Sequence, residues 1–305
     1  MKRYLIIALS LVLAMPAFAQ RTSEEYATRY DLVFNRLGAT GVGLETILKN
    51  WEQDFPDDVK MLSCKFAYYY AKAQSSEVKQ MDQAKYLGNA PILSLKDSLG
   101  NDRNFFEVIN YNDEYFSNAV QAVDKAINLN PNELNYRFSK ITAYSAYEKD
   151  SPDMADLTLK SLIDYHYAVH PKWTYNGEPA DNDLFDAAVQ EYCYSFFKMG
   201  SPRSQEAFRE ISERMLKYQP NNTVYLSNLG SYNLVVKKDT KTAIKYYSKV
   251  LKIKPDDYTA IKNCVLAARA DKNVKLEKKY LPLLVKYGAS DSEKKAAEAR
   301  LATLK

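Results

Sequence analysis

The chain has 305 residues, with 42 basic and 38 acidic side chains and a formal charge of +4. The length would suit one extended solenoid or two globular domains, and the 9 glycines and lack of strand–turn alternation favour a single all-helical array. The 2 histidines leave most acid–base schemes to carboxylates, and the 3 cysteines, far apart and odd in number, give neither zinc spacing nor a C-x-x-C pair.

In chain order, residues 1–19 read as a secretory signal: Lys2 and Arg3, an apolar run from Leu5 to Ala14, Pro16, and the small-residue motif Ala17-Phe18-Ala19. Cleavage is expected before Gln20, giving an exported protein, periplasmic or secreted, of a bacterial envelope. That compartment speaks against nucleic acid as a partner, and no later run is apolar enough to span a membrane. Thr22 with Glu25 is a capping box for a first helix ending near Leu37. Gly38, Gly41 and Gly43 make the turn into a second helix that ends at Asp54. Val59 to Gln74 is a third helix, completing an N-terminal hairpin region over 20–74. Residues 75–103, broken by Gly88, Pro91 and Gly100, read as an insertion with at most one short helix. Helical hairpins are expected from there to 289: 104–116 with 118–129, 133–149 with 153–167, 183–198 with 204–218, a clear unit over 222–254, and 257–270 with 274–287. His170 to Asn182 reads as an irregular loop. Ser290 and Glu293 cap a last helix over 290–305, mostly charged, that closes the array. Cys64, Cys193 and Cys264 each fall inside a helical apolar pattern and are expected as buried free thiols.

Two blocks share one spacing. Ala119, Val123, Ala126 and Pro131 in the first match Ala243, Tyr247, Val250 and Pro255 in the second, and Leu44, Leu48, Trp51 and Pro56 repeat it with bulkier residues. Positions i, i+4 and i+7 share a helix face, and a proline five residues on stops that helix and suits the first turn of the next. Pro220 and Pro255 are 35 residues apart, and Pro131 and Pro171 are 40 apart. A fixed period of this size marks a repeat of helix–turn–helix units. With Leu229-Gly230 ahead of Ala243, Tyr247, Val250 and Pro255, the chain resembles the tetratricopeptide repeat (TPR) family. The resemblance implies an all-α fold, a right-handed α-solenoid of tetratricopeptide-like hairpins, and a protein–protein interaction scaffold with no cofactor.

In that family the first helix of each hairpin lines an inner groove. The resemblance therefore points to Asn228 and Ser231, with Ser227 and Leu234, in one unit and to Lys262 and Arg269, with Leu266, in the next. The partner expected there is a protein or extended peptide segment. Residues 237–305 hold 18 basic and 8 acidic side chains, a net of +10, which suits an acidic partner or only a solvated surface. The other reading is a small-molecule or glycan-binding envelope protein. It rests on the 25 tyrosines and on Tyr165, Tyr167, Trp173 and Tyr175 at the long loop, with Trp173 and Tyr175 as its binding residues. His166 and His170, four apart, reach a zinc site only with a third ligand, and His170 precedes Pro171, which disfavours helix there. No Ser-His-Asp set, G-x-S-x-G motif or phosphate loop is present, so no enzyme is expected.

Overall fold

The computed structural model describes residues 21–304, so the expected signal segment and its cleavage point lie outside the described residues. Among them are thirteen α-helices in six successive pairs and a terminal one. The pairs are α1 (Ser23–Leu37) with α2 (Leu44–Asp54), α3 (Val59–Ala73) with α4 (Asp113–Leu129), and α5 (Leu134–Glu148) with α6 (Asp153–Val169). They continue as α7 (Asn182–Met199) with α8 (Pro202–Tyr218), α9 (Thr223–Ser231) with α10 (Thr240–Ile253), and α11 (Tyr258–Ala270) with α12 (Val274–Tyr287), before α13 (Asp291–Thr303). Within every pair the two helices pack on each other, and most pairs also pack on the next. No helix among the described residues is long and apolar enough to cross a membrane.

Local chemistry sets the boundaries. The Thr22 and Glu25 capping box opens α1, Asp58 caps α3, Ser201 ahead of Pro202 opens α8, and Ser290 caps α13. Each side-chain oxygen accepts a bond from an amide that the first turn leaves unpaired. The repeated stripe becomes the core. Leu44, Leu48, Trp51, Ala119, Val123, Ala126, Ala243, Tyr247 and Val250 are all 3% exposed or less. Cys64, Cys193 and Cys264 are buried and unpaired, and burial pushes their thiols up, to about 11 for Cys64 and about 12 for the other two.

The insertion departs from expectation. It is a three-stranded antiparallel sheet, in the order β1 (Gln74–Met81), β3 (Asp102–Tyr111), β2 (Leu93–Lys96). The expected helix over 104–116 is instead strand β3, and α4 is one unbroken helix capped by Asn112. The reason is period. Asn104, Phe106 and Val108 are buried and Glu107 is exposed, an alternation of two that a helix cannot present. β1 follows α3 directly, and β3 reaches α4 through Asn112 alone, whose N–H donates to the Ala73 carbonyl at 2.8 Å. Gln74 lies opposite Tyr111 and Met81 opposite Asn104. The α3/α4 hairpin thus runs on into a β-ribbon, an arm standing off the helices.

The loop after α6 is also more regular than expected. Thr174–Tyr175 and Glu178–Pro179 form a two-residue ladder around Asn176 and Gly177, which have φ of +52° and +82°. Asn-Gly is the preferred pair for such a turn because both positions need positive φ. The Glu133 carboxylate, 4% exposed, holds the turn: it accepts from the Thr174 hydroxyl at 2.8 Å and from the amides of Asn176 and Gly177 at 2.7 and 3.1 Å.

Candidate functional site

A cavity of about 810 Å³ lies along the first helices of three successive hairpins, α3, α5 and α7. Each contributes one stripe at helical spacing: Phe66 and Tyr70 from α3, Phe138 and Thr142 from α5, Ala188 and Tyr192 from α7. The floor is aromatic. Phe66 and Tyr70 stack with centroids 5.6 Å apart, and Phe138 sits 6.1 Å from Tyr192 and 6.4 Å from Tyr175. The Tyr192 hydroxyl donates to the Phe138 carbonyl at 2.9 Å and lies 2.9 Å from the Thr142 hydroxyl. Burial pushes that phenol up to about 12, so it stays neutral. Asn135, Ser139 and Ser145 of α5 and Ser195 of α7 put uncharged polar groups on the walls. A groove of this kind can take an extended chain, offering its side chains apolar pockets and its backbone amides and hydroxyls.

The arm covers one end of the groove. The part that does so is the connection from β1 to β2, whose turn Tyr86 to Asn89 is closed by two backbone hydrogen bonds of 3.0 and 2.9 Å and packs Tyr86 on Phe106 of β3; Leu87 and Asn89 line the cavity. Asn104 of β3 ties the arm together, accepting from Ser94 at 2.7 Å and donating to the Gln83 carbonyl at 3.0 Å. Lys198 of α7 donates to the Asn89 side chain at 3.1 Å.

The sequence-chosen residues fall in two places. Lys262 and Arg269 share a cavity of about 410 Å³ with Glu293 and Arg300. Lys262 is 3.1 Å from Glu293, and Arg269 donates to Glu277 at 2.7 Å. Arg300 and then Arg269 hold Glu277, 2% exposed, down at about 2. The terminal helix therefore brings Glu293 to face the cation on Lys262 and adds Arg300 as a further one. Asn228 and Ser231 do not line that cavity. Asn228, buried, donates to Gln190 at 2.8 Å and to Ser212 at 3.3 Å, while Ser231 meets the Tyr247 hydroxyl at 3.0 Å. Both serve the seams between helices. Of the alternative pair, Tyr175 is 38% exposed and lines the large groove, whereas Trp173 is 3% exposed and packs in the core. Sequence reading missed the stripes of α3, α5 and α7. Their signal was present as aromatic and small polar residues at i, i+4 spacing, but the repeat spacing read from the sequence lies in second helices such as α4 and α10, and the first helices α3, α5 and α7 carry little of it.

His166 and His170 do not form a metal pair. His166 is 4% exposed, its Nδ1 accepts from the Trp173 indole at 2.9 Å, and its ring stacks on Phe185 at 4.0 Å. His170 is exposed, with φ of +51° at the end of α6. No three His, Cys, Asp or Glu side chains gather as a metal site among the described residues. Burial is the main influence on His166 and holds its pKa below the ordinary value; the charge of Asp186 opposes this and that of His170 adds to it. The unfolded chain therefore takes up the proton more readily, and stability present above about pH 6.5 is lost as the pH falls. Urea denaturation at pH 7.5 and 5.5 is expected to show the loss in the wild type and a smaller loss in His166→Asn. An equal loss in both would place the acid sensitivity elsewhere.

No model of a known protein family matches the chain, and no curated protein matches it either.

Proposed function

We infer that this is an exported protein-interaction scaffold, a right-handed α-solenoid of tetratricopeptide-like hairpins that captures an extended segment of a partner protein. The observation that carries this reading is the continuous groove on the first helices α3, α5 and α7, with an aromatic floor and walls that are polar and uncharged apart from Glu191. The buried repeat stripe and the close packing of Gly230 under Tyr247 support the array itself. The leading site therefore moves from Lys262 and Arg269 to the groove, because Glu293 and Glu277 already answer those two cations. The C-terminal cavity stays the second site, since Lys262 and Arg269 keep 45% and 42% of their side chains exposed. A glycan-binding reading draws on Tyr175 and the hydroxyl-bearing walls of the same groove.

The test is a crosslinking pull-down from the native envelope, followed by titration of the recovered partner against two variants. Ser139→Trp fills the groove and is expected to weaken capture at least about tenfold, near 1.4 kcal/mol. Lys262→Glu with Arg269→Glu is expected to change it by less than about threefold at moderate salt. The reverse pattern would move the site to the C-terminal cavity.

A further inference from the structure

The arm is long, paired in register along eight residue pairs, and its β1–β2 connection rests on a different hairpin from the one the arm leaves. It springs from α3 and α4, and the turn in its β1–β2 connection meets α7 at Lys198. The contact is close. Gly88 has φ of +78°, and a Cβ placed there would lie 2.2 Å from the Lys198 carbonyl oxygen, so only glycine lets this turn sit against that backbone. Leu87 beside it adopts φ of +48°, a left-handed conformation that disfavours leucine, and Leu87 lines the cavity. A turn of this type ordinarily takes Asn-Gly. The leucine is placed for what it covers, and the strained backbone sits where the groove is roofed.

The lining also selects by charge. Among the described lining residues, Glu191 is the one acid and there is no lysine or arginine. Lys198, outside the lining, donates to the lining residue Asn89. Directly packed helices lie about 8–10 Å apart, so a chain reaching from α3 over α5 to α7 spans about 20 Å or more, at least about six extended residues. That length and the apolar floor favour a peptide over a compact ligand.

We propose that the β-arm is a clasp on this groove, and that the segment it holds is an extended stretch of about six residues, uncharged or basic, with aromatic or aliphatic side chains. This rests on the groove reading above. The arm, held to α7 by Gly88 and Asn89, slows release of the bound segment, and Leu87 packs on it from above.

The experiment uses the full mature chain and three capped, fluorescein-labelled hexapeptides. They share two phenylalanines and a leucine and differ in carrying three serines, three glutamates or three lysines. The serine and lysine peptides are expected to bind, with the glutamate peptide at least about tenfold weaker. Gly88→Val is expected to release the serine peptide at least about tenfold faster, since interface changes act mainly on dissociation. Lys198→Ala should act in the same direction with a smaller effect, and carries the test if Gly88→Val melts early. Ser139→Trp separates the two levels. If it abolishes binding while Gly88→Val and Lys198→Ala leave dissociation unchanged, the groove stands and the clasp is wrong. If it leaves binding intact, the groove itself is wrong. Binding by none of the peptides, equal binding of the glutamate peptide, or competition by maltohexaose would overturn the ligand class.

Discussion

Replacing Gly230 with alanine is expected to cost about 3 kcal/mol, at the upper end for a single overpacked methyl group. The site explains the size. A Cβ at residue 230 would stand 2.6 Å from Cε1 and 2.7 Å from Cζ of Tyr247. That ring is 0% exposed and sits in a core cluster with Leu226, Ala243, Val250 and Cys264. Its hydroxyl is further fixed beside Ser231. Neither helix α9 nor helix α10 can yield without moving this cluster, since packed interiors have few voids to absorb a shift. Chemical denaturation would read the loss as a lower midpoint at unchanged slope. Tyr247→Leu in the same chain removes the ring atoms and should recover part of the loss, so the two changes should not add. An alanine variant as stable as the wild type would mean that α9 and α10 are not in this register.

Arg203→Met is expected to cost about 3 kcal/mol for a different reason, the stranding of a buried charge. Asp156, 0% exposed in the first turn of α6, takes Arg203 Nη2 at 2.5 Å and Lys160 at 2.9 Å, while its Oδ1 has no partner. Burial pushes the Asp156 carboxyl up, against the pull of Lys160 and Arg203. With Arg203 gone, Lys160 alone faces the carboxylate, and Glu210 competes for that amine at 2.6 Å. Adding Asp156→Leu should restore much of the stability, because an apolar pair of similar size avoids the desolvation of both ions. If Arg203→Met alone is neutral, the pair is not desolvated and α6 does not pack on α8 as described.

These two sites differ in how far the sequence revealed them. Leu229-Gly230, Ala243, Tyr247 and Val250 stand in one strongly periodic unit, and the same period announced Leu44, Leu48 and Trp51. Spacing alone identifies such residues, because a helix buries one face over its whole length. The Asp156–Arg203 pair joins residues 47 apart, and nothing local marks it. The arm was hidden for another reason. Phe105, Phe106, Val108 and Ile109 form a short apolar run whose length suits strand or helix, and the neighbouring helices drew it into a helical reading. The groove is legible only once α3, α5 and α7 are side by side, since its stripes come from three segments with weak repeat motifs. In the same way, α13 shows its charged face in sequence but not that Glu293 would meet Lys262.

Hydrogen–deuterium exchange of the chain from Gln20, with and without the partner recovered by the pull-down, tests the central claim most directly. If the partner lies in the groove under the arm, slowed exchange should appear at the β1–β2 turn over residues 86–89 and along α5 and α7, with α11 and α13 unchanged. Protection confined to α11, α12 and α13 would contradict the account and return the site to the basic end of the chain.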